Sequence, residues 1–202
     1  MRFGAGSMTE NGQQACPIRD ILNFGGYMFD ESRTHYTSEI PSPVGHLTAI
    51  ATDQGLCALL WENENLAGIE KPAQMKQNPK HPILVQTQRE LGEYFGGSRT
   101  SFSIPLTPMG TPFQVSVWQT LRKIAFAETI CYGEQALRLG DSKKARAVGA
   151  ANGKNPISII IPCHRVIGKS GDLTGFAGGL GTKRFLLDLE QKINFNQERY
   201  LV

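Results

Sequence analysis

From Tyr36 onward, apolar and polar residues alternate in short runs separated by turn residues. Tyr36–Ile40 reads as extended and Ser42-Pro43-Val44-Gly45 as a turn. His46–Ala51 alternates as a strand, Gln54-Gly55 turns again, and Leu56–Trp61 reads as another strand. Short strands in succession predict an antiparallel meander. Residues 63–80 are polar, carry Pro72 and Pro79, and read as a loop. Over Ile83–Phe95 the period changes: Leu84, Thr87, Leu91 and Tyr94-Phe95 fall on one face of a helix that Gly96-Gly97 stops. Phe102–Leu106 predicts one more strand, and the proline-rich stretch Pro105–Pro112 a linker.

Beyond the linker the helical period dominates. Thr111-Pro112 opens a helix, proline being tolerated in a first turn, and Phe113, Val117, Leu121 and Ile124 supply its buried stripe. Glu134–Leu139 is a short helix closed by Gly140. Asp141 or Ser142 caps the next, Lys143–Asn152. Two short helices joined by a tight turn resemble a helix-turn-helix. Arg184–Ile193 is a last amphipathic helix with Phe185, Leu186, Leu189 and Ile193 inward. The expected fold is a small N-terminal α/β domain, an antiparallel sheet with a helix, followed by a mainly helical C-terminal domain. The boundaries fall at 34–108 and 109–195, with an N-terminal extension at 1–33 that is disordered over Met1–Gln14, and a tail at 196–202.

Composition narrows the class. The chain has 202 residues, 40% hydrophobic and 19% charged, ordinary for a globular protein and enough for one large or two small domains. It has no apolar run of membrane-spanning length and no signal-peptide core, so a cytoplasmic location is expected, or a nuclear one in a eukaryote. Cys16, Cys57, Cys131 and Cys163 show no paired spacing and are expected to be free thiols. No Cys/His set has structural-zinc spacing, and no metal or other cofactor is expected. A net charge of +3 is weak evidence for a nucleic-acid partner.

The richest chemistry lies in Ile161-Pro-Cys-His-Arg-Val-Ile-Gly168. An apolar run (Ile157, Ile159, Ile160, Ile161) delivers a cysteine fixed behind a proline and followed by a histidine. The thiolate is the nucleophilic form of cysteine, and an imidazole that takes the proton, directly or through a water, supplies it near neutral pH. Taken as a lone pair, Cys163-His164 fits an inert buried cysteine beside a surface histidine better than a nucleophile, because isolated free cysteines are usually inert core residues.

The full octapeptide resembles the active-site signature of the O⁶-alkylguanine-DNA alkyltransferases. The resemblance extends to Gly110-Thr-Pro-Phe-Gln114 with Trp118, Tyr132-Gly133, Lys144-Ala-Arg-Ala-Val-Gly149, Asn155-Pro156 and Gly175-Phe-Ala-Gly-Gly-Leu180, covering about Thr34 to Glu190. It implies a ribonuclease H-like N-terminal domain and a protein that acts as a monomer on double-stranded DNA carrying O⁶-alkylguanine, with O⁴-alkylthymine as a further substrate. The alkyl group would pass to Cys163 in a single-turnover reaction. By the same resemblance Lys143–Asn152 is a recognition helix lying in the minor groove. Arg146 fills the gap left by a flipped nucleotide, Lys143 and Lys144 meet phosphates, and Tyr132 helps push the nucleotide out. Glu190 orients His164 in a Glu190–His164–water–Cys163 relay, and Asn155, Ser158, Phe176 and Ala177 line the substrate pocket.

Some positions depart from the family pattern. Phe176 stands where many relatives have tyrosine and Ser158 where some have proline, which bears on tolerance for bulky alkyl groups. Gln135 stands where an aliphatic is common, with no consequence legible in the sequence. Two rival readings remain: a binding module of the alkyltransferase-like kind, which lacks the cysteine present here, and a cysteine hydrolase with a Cys-His-Glu set.

Overall fold

The computed structural model describes residues 29, 30, 32–62 and 75–199. Expectations for most of the N-terminal extension, for residues 63–74 of the polar loop and for the last residues of the tail lie outside them.

Three strands form as the alternation predicts. β1 (His35–Ser42), β2 (Gly45–Thr52) and β3 (Gly55–Trp61) make an antiparallel meander in which Tyr36 faces Ala51 and Leu47 faces Trp61. Gly45 closes the first turn at φ 102°, a backbone conformation that a side chain disfavours. The stretch read as loop contains β4 (Met75–Gln77), which pairs with β1 in parallel and gives the sheet order β3-β2-β1-β4. Helix α1 (Pro82–Phe95) covers the sheet through Leu84, Thr87, Leu91 and Tyr94. The strand expected at Phe102–Leu106 shrinks to one bridge, Leu106 beside Leu56. Pro105 has no N–H to continue a ladder, and its carbonyl accepts from Leu56 N at 2.8 Å.

The second half is mainly helical. Thr111 caps α2 (Pro112–Leu121) in a reciprocal box with Gln114. A two-residue strand, β5 (Ile130–Cys131), leads into α3 (Tyr132–Arg138). Gly140, at φ 93°, turns the chain. Asp141 accepts from Lys143 N at 2.9 Å and starts a 3₁₀ turn over Ser142–Lys144, which runs into α4 (Ala145–Asn152). The helix expected from Lys143 is therefore α-helical only from Ala145. β6 (Val166–Ile167) pairs with β5, and α5 (Gly179–Arg199) is longer than the expected Arg184–Ile193. Leu186 and Ile193 are buried, but Phe113 and Phe185, both expected inward, are exposed. This fold, a small sheet whose meander is antiparallel and whose short β4 adds in parallel, with a covering helix and then a helical unit, agrees with the expected class.

The outer edge of β3 joins the halves. Past Leu56 it pairs with the segment before Cys163: Leu59 N donates to Pro156 O at 2.8 Å and Ser158 N to Leu59 O at 3.3 Å. One buried cluster runs through this seam and includes Leu47, Leu59 and Trp61 from the sheet and Val117, Leu121, Ile157 and Ile161 from the second half.

Candidate active site

Residues 155–163 are held from both sides. β3 takes the backbone of 156–158, and Asn155 takes the rest: its Oδ1 accepts from Ile157 N at 3.1 Å while its Nδ2 donates to Ile161 O at 2.8 Å. Between these anchors the chain turns sharply. Ile159 sits at φ 70°, a region that β-branched residues rarely enter and that costs about 1–3 kcal/mol. Its burial and the bond from Ile160 N to Ser158 O at 2.8 Å hold it there. Pro162 then leads into a 3₁₀ turn, Cys163–Arg165. The same Nδ2 of Asn155 lies 3.2 Å from Cys163 Sγ and donates to it.

Cys163 lines a cavity of about 390 Å³ shared with Asn155, Ser158, Phe176, Ala177 and Tyr132. Every residue expected in the substrate pocket is therefore beside the cysteine, and Tyr132 with them. Gly149, Asn152 and Gly153 from the end of α4 complete one side, and Thr174 and Gly175 another. Thr174 Oγ1 donates to Tyr132 Oη at 3.1 Å across the mouth.

Behind the cysteine lies a buried polar group. His164 Nε2 is 2.9 Å from Glu190 Oε1, and both side chains are fully buried. Glu190 also accepts from Tyr94 Oη at 2.8 Å, from Arg165 Nε and Nη2 at 2.9 Å each, and from Ala127 N at 3.1 Å. Ala127 adopts φ 62° where its N–H meets the carboxylate. Burial alone raises a carboxyl, but the bonds from His164 and Arg165 outweigh it and bring Glu190 down to about 2. Burial pushes the His164 imidazole below its ordinary value, against the pull of Glu190. The stable state is thus an anionic Glu190 beside a neutral His164 that donates from Nε2. Nδ1 is then the basic nitrogen; it is buried and hydrogen-bonds no protein atom among the described residues, so no direct bond joins it to Cys163.

Several members of this site had no sequence signal. Tyr94 reads as a core residue of α1, yet its hydroxyl serves Glu190. Arg165 reads as part of the octapeptide and proves to be the bidentate partner of Glu190. Lys183, fully buried on α5, donates from Nζ to Val166 O at 2.6 Å and Thr174 O at 2.9 Å, tying the strand after the cysteine to the cavity wall. Burial lowers its pKa, and a negative charge on Cys163 opposes that shift. Gln135 and Asn152 form a reciprocal amide pair at 2.7 and 3.2 Å that clamps α3 to α4. Trp118 Nε1 anchors α4 to α2 through Ala151 O at 2.9 Å.

Lys143, Lys144 and Arg146 stand apart from the cavity. All are exposed, at and just before the start of α4, and none is ion-paired among the described residues. α4 reaches the cavity with its other end, at Gly149 and Asn152, so the basic residues and the cysteine are joined through one short helix. Among the described residues no cluster of His, Cys, Asp or Glu could hold a metal ion, and no helix is long and apolar enough to cross a membrane.

Comparison with known proteins gives a consistent picture. Residues 35–108 match the model of the 6-O-methylguanine DNA methyltransferase ribonuclease-like domain, and residues 112–192 that of the 6-O-methylguanine DNA methyltransferase DNA-binding domain. The chain is 46% identical over 157 residues to a methylated-DNA–protein-cysteine methyltransferase of Haemophilus influenzae, covering 77% of this chain and 86% of that one. It is 38% identical to a constitutive methylated-DNA–protein-cysteine methyltransferase of Bacillus subtilis, covering 78% and 96%. The structure resembles that of the OGT protein of Mycobacterium tuberculosis in complex with DNA, with a TM-score of 0.72 and 41% identity over 79% of this chain and 94% of that one.

Proposed function

The chain belongs to the 6-O-methylguanine DNA methyltransferase family, and from that premise we propose that it repairs DNA by taking the alkyl group of O⁶-alkylguanine onto its own Cys163. The observation that carries this reading is the placement of Cys163 on the cavity, with Asn155 donating to its sulfur and His164, next in the chain, paired with the buried Glu190. O⁴-alkylthymine presents the same kind of O-alkyl carbon and is a second substrate by the same displacement.

A water between Cys163 and His164 Nδ1 carries the thiol proton to the imidazole, and Glu190 stabilises the imidazolium through Nε2. The thiolate attacks the alkyl carbon in line with the guanine oxygen. An S–C bond forms, the C–O bond breaks, and the electron pair leaves with guanine, which takes up one proton, balancing the one the thiol released. The thioether is stable, so each molecule reacts once.

The alkyl carbon lies inside the duplex, so the nucleotide must leave the stack to reach the cavity. Arg146, exposed on α4, takes the place of the extruded nucleotide, while Lys143 and Lys144 meet phosphates and Tyr132, beside the cavity, helps drive the extrusion. Small residues (Ala145, Ala147, Gly149, Ala150, Ala151) dominate α4, which suits the minor groove, where readout is nearly blind to sequence. The two units, 34–108 and 109–195, divide the work: the second binds and reacts, and the first braces the segment before Cys163. The protein acts as a monomer in the cytoplasm and needs no cofactor.

Incubation with duplex DNA carrying labelled O⁶-methylguanine tests the reading. Label fixed on the protein in at most equimolar amount supports it. Label released to solution with turnover would make the protein a hydrolase, and binding without any transfer would make it a damage-binding module.

A further inference from the structure

Ser158 and Phe176 both line the cavity, and one side chain outside it touches both. Trp61 is the last residue of β3, is buried, and is absent from the cavity lining. Its Nε1 donates to Ser158 Oγ at 3.0 Å, and its ring meets Phe176 edge-on at 5.5 Å between centroids. The indole also lies against Gly178: a Cβ there would stand 2.7 Å from its Cδ2 atom, closer than real contacts allow.

On the functional reading above, we infer that Trp61 sets how large an O⁶ substituent the cavity accepts, by fixing Ser158 and Phe176 from behind. An indole N–H only donates, so the Ser158 oxygen must accept, which holds that oxygen in place and turns its own proton away from the indole. The ring blocks retreat of Phe176, and the glycine contact fixes the loop that carries it. β3 cannot yield either, because Leu59 is hydrogen-bonded on both its N–H and C=O to residues 156–158. On this inference a methyl group makes little demand on these walls, whereas a benzyl group presses on Ser158 and Phe176, and the close-packed indole behind them resists their retreat. Trp61 is a positioning residue: it acts on substrate only through the two residues it holds.

The test is the ratio of single-turnover rates on duplexes carrying O⁶-benzylguanine and O⁶-methylguanine. Trp61→Phe keeps an aromatic ring but loses the donor, and the benzyl-to-methyl ratio is expected to rise by about fivefold, the effect of one buried hydrogen bond. Trp61→Leu, which also removes the ring, is expected to raise it further; if that variant does not fold, Trp61→Phe decides alone. Adding Ser158→Ala to Trp61→Phe should change the ratio no more, since the bond is already gone. Equal loss of both rates, or an unchanged ratio, overturns the inference and makes Trp61 a core residue only. A wild-type protein that fixes no methyl group at all overturns the functional reading first, and this inference with it.

Discussion

Replacing Glu190 with glutamine removes a charge and converts one acceptor oxygen into a donor. Both oxygens of Glu190 are in use, Oε1 by Tyr94, His164 and Arg165, and Oε2 by Arg165 and Ala127. The Arg165 guanidinium and the Ala127 N–H can only donate, and Arg165 meets both oxygens, so a glutamine NH₂ group meets a donor whichever way the amide turns. The larger effect falls on Arg165, whose buried guanidinium keeps Ile124 O and one amide oxygen as acceptors but loses its counter-charge. Removing one partner of a buried ion pair costs about 3–5 kcal/mol, because the other charge is left uncompensated. For a protein of this size each kcal/mol lowers the melting temperature by about 2–4 °C, so Glu190→Gln should lower it by about 6–20 °C. Circular dichroism melts of wild type, Glu190→Gln, Arg165→Met and the double variant measure this. The double variant should lose clearly less than the sum of the singles, with a coupling of about 1–3 kcal/mol. A shift of under about 2 °C for Glu190→Gln, or strict additivity, would refute the claim that the carboxylate is the hub of a buried charge network. It also follows that this substitution is no clean probe of proton transfer.

Acid should destabilise the protein in two stages. His164 has its pKa lowered on folding, so the stability tied to its neutral form is complete above pH 6.5 and declines as pH falls below it. Glu190 is lowered from 4.5 to about 2, so its contribution is present above pH 4.5 and is lost as pH falls toward 2. Urea midpoints at neutral pH, near pH 5.5 and near pH 4 should decrease in that order, and constant midpoints would contradict both assignments. Arg146→Ala should slow transfer from duplex DNA far more than from single strands or free base, because only the duplex requires replacement of lost stacking. Equal slowing on all three substrates, measured in single turnovers, would make Arg146 a structural residue.

The sequence was legible where a period repeats. β1 to β3 and α1 have unambiguous alternation or a one-sided stripe, and they stand within a few residues of expectation. β4 was not legible: Met75-Lys-Gln77 is short and polar, and only its neighbour β1 makes it a strand. α5 outruns its apolar stripe, since the helix continues to Arg199 while none of Asn194–Gln197 is buried. Phe113 and Phe185 mislead because a large apolar residue can satisfy the period whether or not a neighbour covers it, Phe113 in the first turn of α2 and Phe185 in the second turn of α5. In the site, Cys163, His164 and Glu190 announced themselves through the octapeptide and its resemblance. Trp61, Tyr94 and Lys183 could not, because each is distant in sequence and looks like core or surface until the fold brings its polar tip to the site. Gln135 shows the same limit: a buried amide is intelligible only once Asn152 is seen opposite it.

The central claim is that the alkyl group ends on one particular sulfur. Mass spectrometry of peptides from protein reacted with O⁶-methylguanine duplex tests it most directly. Among the described residues the other thiols are Cys57, buried in β3, and Cys131, half-buried at the start of α3. Neither lines the cavity. One methyl group per molecule on the peptide containing Cys163, and none after Cys163→Ala although DNA still binds, is the expected result. A methyl group on Cys131 or Cys57, or transfer that survives Cys163→Ala, would contradict it.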